Sequence, residues 1–256
     1  MSVFGNYSAY YDLLYSDKDY AGEAEFVELL IKKYKPDAKS ILELGCGSGG
    51  HAIELINKGF YIHGIDLSEE MLAVAATRRD QLPGELASKF TLAPGNVQSY
   101  RANKMFDCVI SLFHVISYQP TVAELKAAFI TAAEHLDAGG AFVFDVWYGP
   151  AVLTDKPVVR VKRMSNDSIS VIRIAEPEWH ANESLVDVHY TVFIRDRASN
   201  VIEELEEVHR MRYLFTSEIE MLAEAAGFTV SNYCEWMTGK SPGADTWGVC
   251  FILLKK

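Results

Sequence analysis

The segment Glu43-Leu44-Gly45-Cys46-Gly47-Ser48-Gly49-Gly50 sets a carboxylate two residues before a run of glycines. Glycine lets backbone come close to a ligand, and a glycine loop that opens a helix presents its first N–H groups outward. The Walker spacing GxxxxGK[S/T] is absent. Read from Gly45, GCGSGG does satisfy GxGxxG, the dinucleotide fingerprint. Glu43 would repel a pyrophosphate, however, and suits a ligand bearing an amino group or a sulfonium. A second acid, Asp66, follows Gly47 by nineteen residues. An acid so placed can accept both hydroxyls of a ribose. The implied ligand is a nucleoside with a cationic, amino-acid-like arm.

For these groups to meet, each must sit where a strand ends. Ser40–Leu44 and Tyr61–Ile65 read as buried strands, the second followed by Asp66. Helical spacing runs from Tyr20 to Tyr34 and from His51 to Lys58, and Ser68 with Glu69 and Glu70 reads as a capped helix start. Phe90–Ala93, Phe106–Leu112 and Ala141–Trp147 read as further strands, with a helix from Val122 to Leu136 closed by Gly139-Gly140. This alternation predicts an α/β fold with a Rossmann-like parallel sheet covered on both faces. The period then changes to two over Val158–Met164, Ser168–Ala175, Leu185–Arg195 and Val201–Tyr213, which predicts an inserted antiparallel ribbon. Trp179-His180 reads as a turn or edge. A helix capped by Thr216 and two strands, Phe228–Glu235 and Trp247–Leu254, complete a seven-stranded core sheet. The expected division is a core over 1–150 and 214–256, with an N-terminal helical lid within 1–38, and an insert over 151–213.

The chain has 256 residues, a net charge of −11 and 49% hydrophobic residues, the profile of a folded globular protein. The acidic balance disfavours nucleic acid and anionic lipid as partners. No stretch approaches the roughly 18 apolar residues of a membrane span, and Met1 to Tyr20 lacks a signal-peptide pattern. Cys46, Cys108, Cys234 and Cys250 form no CxxC pair and read as buried thiols. A cytoplasmic enzyme or binding protein is the expected class.

Glu43–Gly50, Asp66-Leu67, Gly95-Asn96-Val97, the strand Phe106–Leu112 and the ending Glu224-Ala225-Ala226-Gly227-Phe228 together resemble the class I S-adenosylmethionine-dependent methyltransferases. The resemblance spans the whole chain. It implies that Gly45 and Gly47 pass under the methionine arm, with Glu43 nearby. It implies that Asp66 binds the ribose, that Leu67 and Met71 line the adenine, and that Asn96 with Val97 meets the adenine edge. Many relatives carry an acid where this chain has Asn96. Leu112 and Phe113 would contact the methionine arm, and Tyr11 and Tyr15, four residues apart, would stack over the cofactor or bind its carboxylate.

The acceptor would sit beyond the carboxyl ends of the strands. The exit Leu112-Phe113-His114-Val115 lacks the Asn/Asp-Pro-Pro-Tyr/Phe element of enzymes that methylate nitrogen on DNA bases or glutamine. It also lacks the paired glutamates of arginine methylases, and no acidic metal cluster stands out, so no metal is expected. A closer similarity is to small-molecule methyltransferases of the amino-sugar N-methylating type, through Tyr10–Leu13, Ser111–Tyr118, Asp145–Tyr148 and the ribbon end His209–Tyr213. An amine must arrive neutral, so a His or Tyr could accept its proton. His114 and Tyr118 are the catalytic candidates, and Trp147, Tyr148 and His209 the substrate-binding ones. The expected partner is a small polar acceptor methylated on nitrogen or oxygen, with a possible homodimer through the insert. The rival readings are a nicotinamide-dependent oxidoreductase and a non-catalytic binder of the S-adenosyl ligand.

Overall fold

The computed structural model describes Tyr10, Leu13, Leu14 and residues 17–256. The elements follow in chain order. They are α1 (Tyr20–Tyr34), β1 (Ser40–Leu44), α2 (Gly50–Asn57), β2 (Tyr61–Asp66), α3 (Glu69–Asp80), α4 (Gly84–Ala87), β3 (Phe90–Pro94) and β4 (Phe106–Ser111). Then come α5 (Val122–Glu134), β5 (Leu136–Tyr148), α6 (Gly149–Thr154), β6 (Arg160–Ser165), β7 (Ile169–His180), β8 (Leu185–Asp196), β9 (Ile202–Leu214), α7 (Thr216–Ala225), β10 (Phe228–Glu235) and β11 (Gly248–Lys255).

Local chemistry fixes several helix starts. The Ser68 hydroxyl accepts from the Met71 N–H at the head of α3, and Thr121 with Glu124 closes a capping box at α5. The α7 start differs from expectation. Phe215 precedes the first turn without a side-chain cap, and Thr216 is the first helical residue.

The core sheet runs β3-β2-β1-β4-β5, all parallel, and continues through antiparallel β11 to β10. Strand alternation splits its side chains between two layers. Leu42, Val109, Phe142, Phe144 and Phe251 pack against α5 and α7. Ile41, Ile110, Val143 and Ile252 pack against α1 and α2. Each such fully buried side chain stabilises the fold by about 1.5–3 kcal/mol. The chain builds outward from β1 to β3 and then returns to place β4 on the other side of β1. Loops after β1 and β4 therefore diverge and open a crevice.

The strands β6 to β9 form an antiparallel sheet. It joins the core where β9 runs parallel to the end of β5, through Trp147↔Tyr213 and Tyr148↔Leu214. One sequence expectation needs correction here. Leu136 does not close α5 but opens β5, opposite Phe106. Gly139-Gly140 then lies within that strand, where the register shifts between Phe106 and Cys108. Of the two readings of Trp179-His180, the edge one holds: both residues are laddered to β8, opposite Val186 and Leu185, and β6 pairs with β7 only as far as Ala175. Among the described residues no helix is long and apolar enough to cross a membrane.

Candidate active site

β1 delivers Glu43 and the glycine loop to the crevice. Gly45, Gly47 and Gly49 all hold positive φ, at 77°, 52° and 78°. A Cβ on Gly45 would stand 2.7 Å from both Val115 methyls. The Asp66 carboxylate organises the loop, accepting the Gly47 N–H at 2.8 Å and the Ser68 N–H at 2.9 Å. Burial raises the Asp66 pKa, and these amide bonds oppose the rise. Glu43 is 1% exposed, and burial, with the Asp66 charge as a smaller cause, pushes its carboxyl up to about 8. Its Oε2 has no hydrogen-bond partner among the described residues.

The rim of the loop is set by β2 and β3. Gly95 N–H donates to the Asp66 carbonyl at 2.9 Å. Asn96 Oδ1 accepts from the Gln98 N–H at 2.8 Å, so its amide NH₂ is the group with donors to offer. Val97 packs on the core. Leu67 is 76% exposed, whereas Met71 is buried in a cluster with Tyr10, Leu14, Val171 and Val192. That cluster ties the N-terminal segment and the inserted sheet to α3. Tyr11 and Tyr15 lie outside the described residues.

At the β4 exit Leu112 is buried, and Phe113 and His114 both take the left-handed conformation, at φ 65° and 63°. Left-handed backbone costs a non-glycine residue about 1–2 kcal/mol. Asp145 on β5 is the compensating group. It is 1% exposed, accepts the His114 N–H at 3.2 Å and lies 2.7 Å from His114 Nδ1. Lys18 Nζ stands 4.0 Å over the Phe113 ring. The chain then turns through Val115–Tyr118, and the Tyr118 hydroxyl meets His209 Nδ1 at 2.8 Å.

A cavity of about 760 Å³ lies between the core edge and the inserted sheet. His114, Trp147, Trp236 and Trp247 line one side, and Tyr190, Arg160, Lys162 and Arg173 the other. The ladder explains the second wall. Arg160 is opposite Ala175 and Lys162 opposite Arg173, while Ala175 is opposite Tyr190, so these side chains share one face. Lys162 also holds Leu14 O at 2.8 Å and Asp17 at 3.0 Å. Arg173 stacks 4.7 Å over the Tyr190 ring.

The structure thus brings His114 and Trp147 to the cavity. Tyr148 does not reach it, packing instead on the core cluster with its hydroxyl 3.4 Å from Thr216. His209 stands behind Tyr190, with ring centroids 4.8 Å apart. Sequence reading passed over Arg160, Lys162, Arg173, Tyr190, Trp236 and Trp247. The alternation of Arg160 and Lys162 was a usable signal only once a partner strand fixed their face.

A buried, unpartnered carboxylate oxygen beside left-handed glycines suits a nucleoside with a cationic arm and not a pyrophosphate. Among the described residues no His, Cys, Asp and Glu cluster could hold a metal. Residues 41–140 match the family described as "Methyltransferase domain". The chain is 31% identical over 235 residues to the dTDP-3-amino-3,4,6-trideoxy-α-D-glucopyranose N,N-dimethyltransferase of Streptomyces venezuelae, spanning 91% of this chain and 92% of that one. Its fold matches the crystal structure of Streptomyces venezuelae DesVI at a TM-score of 0.80, with 27% identity and 98% of each chain covered. It also matches SAM-bound CalS10, an amino pentose methyltransferase from Micromonospora echinaspora, at a TM-score of 0.75, with 25% identity over 98% of this chain and 96% of that one. The chain belongs to the S-adenosylmethionine-dependent methyltransferases.

Proposed function

We propose that this enzyme methylates the amino nitrogen of a sugar carried on a nucleoside diphosphate. The observation that carries the reading is the cavity wall on which Arg160, Lys162 and Arg173 meet tryptophans and a tyrosine opposite His114. Paired phosphates need clustered cations, a base or sugar ring needs aromatic faces, and an amine needs a polar side chain within reach. The dTDP-amino-sugar dimethyltransferase among its relatives supports the same substrate class.

S-adenosylmethionine supplies a methyl group on an electrophilic sulfonium. Glu43 faces its cationic arm, Gly45 and Gly47 give it room, and Asp66 holds the ribose. Leu67, Met71, Asn96 and Val97 bound the adenine, and Leu112 and Phe113 the methionine arm. Tyr11 and Tyr15 complete the cover in this reading. His114, with Nδ1 turned to Asp145, keeps Nε2 for the acceptor, and Tyr118 is the second catalytic candidate. Trp147 shapes the acceptor pocket. The work here is alignment in a dry cleft. Residues 1–150 and 214–256 form the cofactor-binding core and 151–213 the acceptor lid, which also serves as a homodimer face. A cytoplasmic setting without a nucleic-acid partner accords with the −11 charge.

The test has two stages. Thermal shifts with S-adenosylmethionine, S-adenosylhomocysteine and NAD should show stabilisation by the S-adenosyl ligands. Turnover is then compared for a nucleotide-linked amino sugar, its hydroxyl analogue and the free amino sugar. Methylation of the nitrogen, fastest on the nucleotide-linked form, is expected. Methylation of the hydroxyl analogue at the same rate would sink the proposal.

A further inference from the structure

β9 sets Glu207 and His209 two residues apart, hence on one face of the inserted sheet. Across the ladder Tyr190 lies opposite Glu207 and Val188 opposite His209. His209 Nδ1 stands 2.8 Å from the Tyr118 hydroxyl and His209 Nε2 stands 3.2 Å from Glu207 Oε2. The Glu207 side chain is only 7% exposed, and its Oε1 has no hydrogen-bond partner among the described residues. A carboxylate, an imidazole and a phenol therefore stand in series, from the insert to the turn that follows His114.

The order of these groups has a chemical sense. A carboxylate only accepts, so a neutral imidazole that faces it through Nε2–H presents Nδ1 as an acceptor. Nδ1 is the atom that meets the Tyr118 hydroxyl, which is then placed to give up its proton. The same logic, an orienting acid behind a base behind a hydroxyl, activates nucleophiles on unrelated folds. Here no covalent intermediate is needed. The demand is only that an ammonium lose one proton before its nitrogen can attack.

We infer that Tyr118, His209 and Glu207 form the proton path that deprotonates the acceptor amine. This rests on the amine-methylating reading above. Tyr118 Oη takes a proton from the ammonium while its own hydroxyl proton passes to His209 Nδ1. The broken N–H bond leaves its electron pair on nitrogen as the attacking lone pair. The phenol is unchanged at the end, and the proton rests on the imidazole facing Glu207. Tyr118, 43% exposed on the turn that follows His114, is outside the cavity lining and is the residue this proposal sets against the amine at the cavity mouth; His209 and Glu207 act through it as positioning residues. Among the described residues, the charged and titratable groups that face His209 are Glu207 on its own strand, Tyr118 on the turn and Tyr190 on β8, with Arg173 of β7 behind Tyr190.

The experiment measures kcat and KM with a nucleotide-linked amino sugar from about pH 6.5 to about pH 9.5, a span that covers amine titration. Tyr118→Phe and His209→Gln should each lower kcat on the order of 10²-fold at neutral pH. The double variant should lose no more than either single one, because the two act on one path. The deficit should close as pH rises and the amine deprotonates in water, an effect that a damaged fold would not show. Glu207→Gln should fall between wild type and His209→Gln, with Glu207→Asp recovering most of the loss. S-adenosylhomocysteine affinity, checked by calorimetry, should stay at the wild-type value throughout. Wild-type kcat at neutral pH in either single variant, additive losses in the double, or a deficit equal at every pH would each overturn the relay alone. Methylation of alcohols but no amines by the wild-type enzyme would overturn the amine reading and the relay with it.

Discussion

Asp145 meets His114 in two places, accepting the backbone N–H at 3.2 Å and standing 2.7 Å from Nδ1, a charge contact without hydrogen-bond geometry. One buried carboxylate thus stabilises a left-handed turn and aims an imidazole at the acceptor cavity. Asp145→Asn keeps the shape and removes the charge. It should lower kcat by roughly 10- to 100-fold, a loss of about 1.4–3 kcal/mol of transition-state stabilisation, while S-adenosylhomocysteine affinity changes less than about twofold. Steady-state kinetics beside calorimetry would separate the two effects. Equal losses in both would argue that Asp145 supports the cofactor side instead.

Gly45 combines a φ of +77° with a Cβ direction blocked 2.7 Å away by Val115. Gly45→Ala should lower stability by about 1–3 kcal/mol, the range for backbone strain at such a position. It should also weaken S-adenosylhomocysteine. Adding Val115→Ala should restore part of the loss by removing the clash while leaving the φ penalty. Melting temperatures of the single and double variants would show whether the two costs divide this way.

Glu43 gives a pH prediction. Burial raises its pKa from the ordinary 4.5 to about 8, so the folded, ligand-free protein resists ionising it. Stability from this group is complete below about 4.5 and declines as pH climbs toward about 8. Binding of a cationic arm favours the carboxylate and should release a proton near neutral pH. Calorimetry in buffers of different ionisation enthalpy would measure that release. Glu43→Gln should abolish it and flatten the alkaline decline in stability.

Arg173 sits over Tyr190 on the insert wall. Arg173→Ala should raise KM for a nucleotide-linked acceptor at least about tenfold, or roughly 1.4 kcal/mol. KM for a free amino sugar should scarcely move. An equal rise for both acceptors would place the guanidinium's role away from the phosphates.

His63 lies at the opposite edge of the sheet, bonded to Thr91 at 2.7 Å and to the Tyr100 hydroxyl at 2.5 Å. Burial, then the charge of Lys104 and the neighbouring His135 ring, hold its pKa down to about 4. The unfolded chain binds the proton more readily, so stability from this group is complete above about 6.5 and is lost as pH falls toward about 4. Denaturant midpoints at the two ends of that window should differ less in His63→Gln than in the wild type.

The glycine loop, the acid that ends β2 and the seven core strands were legible because each rests on local pattern: alternation, glycine and a carboxylate at a strand end. The start of β5 was not. Leu136 continues the apolar spacing of α5, and only its pairing with Phe106 makes it strand. The cavity cations were hidden for a related reason. Arg160, Lys162 and Arg173 read as a solvated face until register set them opposite Ala175 and Tyr190. Glu207 was harder still, lying in the run Glu203-Glu204-Leu205-Glu206-Glu207, where one buried acid looks like its exposed neighbours. Asp145 stood out as a residue at the sheet edge, but its hold on His114 depends on two left-handed residues that no spacing rule announces.

The inserted sheet joins the core ladder at only two residue pairs, Trp147↔Tyr213 and Tyr148↔Leu214. A graft that exchanges the strands between those seams leaves the glycine loop and its Asp66 brace intact. Chimeras cut at Tyr148 and Tyr213 are therefore a direct way to transplant acceptor preference from one scaffold to another. Because Val171 and Val192 of the insert also pack on Met71, Tyr10 and Leu14, such a chimera must keep that cluster matched across the cut.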